Sequence, residues 1–93
     1  MIFHNPGPAW NAAMSPLDQT GVMEHVAYLR QLADKGTLQA SGPFIAGGNG
    51  GMILTRLGTT EEEAAAIGRE DPGVRSGLIT FEVKAWMVTI GAL

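Results

Sequence analysis

The chain has 93 residues, of which 45% are hydrophobic, and it carries a formal net charge of −3 with no cysteine. A chain of this length forms one domain, here residues 1–93, and small domains often gain stability by oligomerising. The slight acidity and the scattered Lys and Arg residues exclude a basic nucleic-acid surface. The absence of cysteine excludes disulfides, thiolate metal sites and cysteine nucleophiles. No apolar run spans a membrane and no signal peptide is recognisable, so we expect a cytoplasmic protein.

A short strand is predicted at the start of the chain, over residues 1–4. The Asn5-Pro6-Gly7-Pro8 sequence is expected to end it below the usual length of about five or six residues, so an earlier start of the chain stays open. Residues 9–14 show no periodicity and are predicted to form a loop, in which Trp10 is a packing anchor.

A helix is predicted next, with Ser15 as its N-cap and Pro16 at its first position. A later start at Asp18 or Thr20 is the alternative, and it would place His25 in one of the first two turns. The helix is expected to end at Gly36, since glycine adopts the left-handed conformation that closes helices.

The predicted helix carries a histidine on its apolar face. At 100° per residue, His25 lies in the same arc as the apolar residues, within about 60° of Leu29. A neutral imidazole there needs a hydrogen-bond partner, because an unsatisfied buried polar group costs roughly 1 to 3 kcal/mol. The other members of this predicted face are Val22, Val26, Leu32 and Ala33.

Two strands separated by a glycine-rich loop are predicted after the helix. Residues 38–44 form the second strand, with Pro43 at an edge position or at its end. The loop over residues 46–51 contains Asn49-Gly50, a strong hairpin signal, and residues 52–57 form the third strand, antiparallel to the second. A phosphate-binding loop is disfavoured, because neither a Lys-Ser or Lys-Thr pair nor a helix follows the glycines.

A second helix and a fourth strand complete the prediction. The helix spans residues 60–70, with a capping box formed either by Thr59 and Glu62 or by Thr60 and Glu63. Asp71-Pro72-Gly73 ends it, and residues 74–77 connect it to the next strand. Residues 78–86 alternate as in a half-buried strand, and an apolar tail over residues 87–93 follows. The predicted inner face of that strand is Ile79, Phe81, Val83 and Ala85.

This order of elements predicts an α+β fold with the split βαβ arrangement of a ferredoxin-like domain. Both helices would cover one face of a four-stranded antiparallel sheet. The other face then needs a cover, and a second copy of the same sheet would supply it. We therefore expect a homodimer, with residues 86–93 contributing to the contact.

The same topology brings several candidate site residues to one end of the sheet, where strand 1, strand 2 and helix 2 end and helix 1 begins. Asp71 is the carboxylate best placed to hold the imidazole of His25 in one tautomer and to raise its basicity. A structural histidine with no chemical role is the competing interpretation. The further candidates at this end of the sheet are His4, Ser41, Gly42, Pro43 and Phe44.

Several short motifs together resemble the YCII (YciI-like) family. They are Glu24-His25-Val26-Ala27-Tyr28-Leu29, Ala40-Ser41-Gly42-Pro43-Phe44, Asp71-Pro72, and Ser76-Gly77-Leu78 leading to Glu82-Val83-Lys84-Ala85-Trp86. The opening His4-Asn5-Pro6-Gly7-Pro8-Ala9-Trp10 is similar to one branch of that family, although its first strand is usually longer.

The resemblance implies a dimeric ferredoxin-like fold of the α/β barrel type. It also implies a His-Asp dyad, here His25 and Asp71, with Pro72 shaping the loop of the dyad. Most of the family has no assigned reaction, and dehydrochlorination of a chlorinated hydroxyquinol is one activity known within it. The substrate-orienting residues of that enzyme match no motif in this chain.

Two functional hypotheses of different classes follow. The first is an enzyme without cofactor, a lyase, dehydrochlorinase or isomerase, in which His25 takes a proton from a small, cyclic, oxygenated substrate. Backbone amides around Gly42 or the glycine loop would steady a developing oxyanion. The second is a non-catalytic module that binds a small ligand or only dimerises. A metal site built from His4, His25 and Asp71 is a weaker third idea, because no ligand spacing supports it, and we predict no metal.

Overall fold

A four-stranded antiparallel sheet forms the centre of the structure, a computed structural model that describes all 93 residues. The strands lie in the order β2-β3-β1-β4, and every neighbouring pair is antiparallel. This is the strand order of a ferredoxin-like α+β fold, as predicted. The strands are β1 (Ile2–Pro6), β2 (Leu38–Pro43), β3 (Gly51–Thr55) and β4 (Ile79–Val83).

Three α-helices and one 3₁₀ turn complete the secondary structure. The two longer helices follow β1 and β3, as the split βαβ order requires. None of the helices has the length and the apolar character needed to cross a lipid bilayer. The helices are α1 (Val22–Asp34), α2 (Glu61–Glu70) and α3 (Pro72–Arg75), and the 3₁₀ turn is Pro16–Asp18.

The hydrophobic core lies between the helices and one face of the sheet. The inward residues alternate along each strand, so Ile2 of β1 and Ile53 of β3 are fully buried next to each other. Leucines from α1 and aromatic side chains close the core at its margin. Its members are Ile2, Leu38, Ile53, Ala64 and Ile67, with Tyr28, Leu29, Leu32, Phe81 and Val83 packed against them.

The predicted start of helix 1 at Ser15 is wrong, since α1 begins at Val22. Ser15 precedes only the 3₁₀ turn, and its hydroxyl donates to the side chain of Asp18 instead of accepting a capping hydrogen bond. The buried amide of Gln19 holds the loop before the helix by hydrogen bonds to backbone groups of that loop. Gly21 then turns the chain with a φ of +88° and serves as the N-cap.

The far end of helix 1 agrees with the prediction. Gly36 follows the helix with a φ of +75°, and the backbone N–H groups of Lys35 and Gly36 satisfy late carbonyls of the helix. The predicted apolar face is correct for His25 and the leucines, which are partly buried, whereas Ala33 is exposed.

The first strand is longer than predicted, because Asn5 and Pro6 continue its pairing with β4. Strand β3 pairs only with residues 2–4 of β1. Beyond His4, β1 is therefore an edge strand on that side, and proline is tolerated at such positions because no ladder hydrogen bond is lost.

Strands 3 and 4 are shorter than predicted, ending at Thr55 and Val83 rather than at Leu57 and Trp86. A turn over residues 56–59 closes β3, and the β1–β4 ladder stops at the pair of Ile2 and Val83. Residues 84–93 form no helix or strand, and their large apolar side chains are exposed, namely Trp86, Met87, Ile90 and Leu93.

Helix α2 matches its prediction closely, and Thr60 with Glu63 forms the capping box. The short helix α3 was missed, since residues 74–77 were predicted as a plain connection. Together these elements put the end of β1, the start of α1, the end of α2 and α3 at one end of the sheet.

Candidate active site

Asp71 stands at the junction of α2 and α3, and its neighbours fix its side chain. As the N-cap of α3, it accepts a hydrogen bond of 2.8 Å at Oδ1 from the backbone N–H of Gly73. Pro72 occupies the first position of that helix, where its missing N–H costs nothing. Only 1% of Asp71 is exposed. The carboxylate is thus buried and held, with Oδ2 left for another donor.

His25 supplies that donor from the first turn of α1. Its Nδ1 lies 2.7 Å from Oδ2 of Asp71, so the predicted contact between the two side chains is present as a hydrogen bond. A carboxylate only accepts hydrogen bonds, so the contact assigns the proton of the neutral ring to Nδ1 and leaves Nε2 as an acceptor. Nε2 of His25 makes no hydrogen bond within the protein. It is not fully buried, so solvent reaches it.

Gly73 allows this close approach in two ways. A Cβ atom at position 73 would lie 3.2 Å from Cβ of His25 and 3.2 Å from Oδ1 of Asp71, which leaves little room for a side chain. Its N–H also holds the carboxylate. From the sequence, Gly73 was predicted only to help end helix 2, with Asp71 and Pro72. The Asp-Pro pair at the start of a short helix was the signal that could have revealed this capping role.

His4 reaches the same carboxylate from the central strand β1. It is buried, and its Nε2 lies 3.8 Å from Oδ2 of Asp71, which is too long for a direct hydrogen bond. The rings of His4 and His25 meet edge to face, with centroids 5.2 Å apart. Burial, and then the proximity of His25, lowers the pKa of His4 to about 4, against a smaller opposing effect of Asp71. His4 is therefore neutral at neutral pH.

Tyr28 ties the helix that carries His25 to the helix that leads to Asp71. Its hydroxyl donates a hydrogen bond of 2.7 Å to the carbonyl of Ile67 in α2. Burial, and then the negative charge of Asp71, raises the pKa of Tyr28. No role was predicted for this tyrosine, although it lies three residues after His25, close to it on the helix surface.

The remaining predicted site residues lie further along the same end of the sheet. Ser41, Gly42 and Pro43 are exposed on the edge strand β2, and none of them makes a hydrogen bond to the histidines or to Asp71. Pro43 pairs with Gly51, which pairs in turn with His4, so one strand separates β2 from the strand of His4. Phe44, beyond β2, is also exposed.

The geometry suits proton transfer at one ring nitrogen. Nε2 of His25 is an open acceptor, and the buried carboxylate on the other side of the ring stabilises the imidazolium that forms when Nε2 takes a proton. No group of three or more His, Asp or Glu side chains is arranged to hold a metal ion. An accepting ring nitrogen with a carboxylate behind it can support general-base chemistry.

One cavity lies away from this pair. Its volume is about 160 Å³, and it sits at the opposite end of the sheet, between the β3–α2 connection and the tail. Neither His25 nor Asp71 lines it. Residues that do include Leu54, Leu57, Thr60, Trp86, Val88 and Leu93.

Comparison with known proteins places the chain in a family. The model of the YCII-related domain matches residues 1–87 of the 93. No curated protein and no solved structure is significantly similar to the chain.

Proposed function

The chain belongs to the YCII-related family, and we propose that it is an enzyme of the lyase, dehydrochlorinase or isomerase type that works without a cofactor. His25 takes a proton from carbon or oxygen of a small, cyclic, oxygenated substrate at Nε2. Asp71 holds the ring by Nδ1 and stabilises the imidazolium, which then returns the proton to the product or to the leaving group.

One observation carries this proposal. The nearly fully buried carboxylate of Asp71 accepts a hydrogen bond from His25, whose other ring nitrogen is open to solvent. A histidine kept for structure alone needs only a partner for its buried nitrogen, and a backbone carbonyl would serve. A buried charge is costly unless it is hydrogen-bonded, so its presence beside an accessible base favours a chemical role.

Replacement of His25 tests the proposal directly. We expect His25→Gln to remain folded, because the amide keeps part of the hydrogen bonding, and to lose turnover by roughly 10²- to 10⁴-fold. The measurement is turnover across a panel of small phenolic and lactone compounds, with thermal melting of the parent and the variant. Gln31→Glu, on the exposed side of the same helix, is the control and should match the parent. A large fall in melting temperature with activity retained in the folded fraction would contradict the proposal.

A non-catalytic module that binds a small ligand or serves dimerisation is the second candidate function. The position of the 160 Å³ cavity favours it, because that cavity is distant from His25 and Asp71. Binding of panel compounds without turnover, unchanged in His25→Gln, would support this candidate over the enzyme.

We also propose that the protein is a homodimer in which the helix-free sheet faces pack together. That face carries Phe3, Met52 and Leu54, apolar side chains that no helix covers and that stay partly exposed. Sedimentation equilibrium at micromolar concentration should give twice the chain mass of 9.8 kDa. Leu54→Glu should shift the mass to that of a monomer, because it places a charge in the contact, whereas Gln31→Glu should not. A monomeric parent protein would remove this proposal.

A further inference from the structure

Two imidazoles share one carboxylate oxygen at the candidate active site. Oδ2 of Asp71 accepts the hydrogen bond of His25 at 2.7 Å, and Nε2 of His4 lies 3.8 Å from the same atom. Nε2 of His4 is fully buried and has no hydrogen-bond partner of any kind. Buried polar atoms without a partner are rare, so this one calls for a physical explanation. Only Trp10 Nε1 shares this condition in the chain.

The tautomer of His4 follows from what its Nε2 faces. A lone pair directed at a buried carboxylate oxygen would be repelled, whereas an N–H dipole is attracted at this distance. The neutral ring therefore carries its proton on Nε2. A movement of less than 1 Å would turn the 3.8 Å separation into a hydrogen bond of ordinary length.

We propose that His4 is a positioning residue of the His25–Asp71 pair. Its Nε2–H faces Oδ2 of Asp71 at 3.8 Å, next to the His25 ring that it meets edge to face, and takes up part of the negative charge on that oxygen. This inference rests on the proposed function, because it assigns His4 a role in setting the basicity of the proposed base. A second N–H dipole at Oδ2 weakens the attraction between that oxygen and the imidazolium of His25.

The charged and titratable groups around the pair agree with this role. His4 approaches from β1, His25 from α1, and Asp71 from the junction of α2 and α3. Burial and the nearby His25 disfavour the positively charged form of His4. A proton taken up by the site therefore binds to His25 and not to His4. The neighbouring Tyr28 is acted on by the charges of Asp71, Glu70 and Arg75.

Nitrogen-15 NMR of the imidazoles of the parent protein tests the tautomer without any substrate. We expect His4 to remain neutral, with its proton on Nε2, between about pH 5 and pH 8, where an ordinary histidine titrates. The ring of His25 should show its neutral-state proton on Nδ1 at the upper end of this range. A proton on Nδ1 of neutral His4, or titration of His4 within the range, would overturn the inference.

Two variants of His4 test the coupling. His4→Phe keeps a ring but removes the donor, so the charge on Oδ2 of Asp71 acts on His25 alone. The midpoint of the His25 titration should then move to higher pH by roughly half a unit, which is about threefold in proton affinity. His4→Gln retains an amide donor and should restore a midpoint near that of the parent. An unchanged or lowered midpoint in His4→Phe would overturn the inference. Failure of the whole turnover panel with this coupling intact would remove the proposed function alone.

Discussion

Acidification from about pH 7 to about pH 4 should lower the free energy of unfolding by as much as about 3 kcal/mol through the titration of His4 alone. Burial, followed by the nearby His25, lowers the pKa of His4 from 6.5 to about 4. Between these values the unfolded chain binds a proton that the folded protein does not bind, so stability rises with pH across this window. The contribution is complete above about pH 6.5, falls as the pH drops, and declines no further below about pH 4.

Urea unfolding of the parent and of His4→Gln at several pH values measures this contribution. Carboxylates titrate near the lower end of the same range and affect both proteins, so the difference between the two curves isolates His4. We expect the parent to lose more stability than His4→Gln from neutral pH to about pH 4, because glutamine does not titrate. Parallel curves for the two proteins would show that His4 accepts its proton as easily in the folded as in the unfolded state.

The fold could be predicted because most of its elements carry local signals. The alternation in β4, the Thr60 capping box of α2 and the closing glycine at position 36 each report a structure decided within a few residues. The misplaced start of α1 has the opposite cause. Ser15-Pro16 begins only the 3₁₀ turn Pro16–Asp18, because the chain is extended at Gln19, whose buried side chain is hydrogen-bonded back to the preceding loop.

The contact of His25 with Asp71 could be predicted from topology, since the strand order alone brings the start of α1 to the end of α2. The finer features of the site could not. The lowered pKa of His4 depends on how deeply β1 is covered, and the fit of Gly73 against His25 depends on distances of a few tenths of an ångström. Such properties arise from packing between distant segments, which periodicity in the sequence does not record.

Asp71→Asn should reverse the tautomer of His25 while leaving the fold intact. The amide oxygen of the variant can still accept the hydrogen bond of the Gly73 N–H, so the cap of α3 survives. The amide nitrogen, however, presents N–H groups to Nδ1 of His25, which must then become the acceptor. The ring proton moves to Nε2, and the nitrogen open to solvent loses the lone pair that accepts a proton.

The expected result is a loss of turnover of roughly 10²- to 10⁴-fold, comparable to other cases in which an orienting carboxylate becomes an amide. Nitrogen-15 NMR should show the protonated nitrogen of neutral His25 change from Nδ1 in the parent to Nε2 in the variant. Asp34→Asn, an exposed change of the same chemistry on α1, is the control and should alter neither. Retained turnover with the proton now on Nε2 would show that the open nitrogen is not the base. Retained turnover with the proton still on Nδ1 would show instead that Asp71 does not set the tautomer. Because an amide and a carboxylate have nearly the same shape, either outcome separates the role of charge from that of packing.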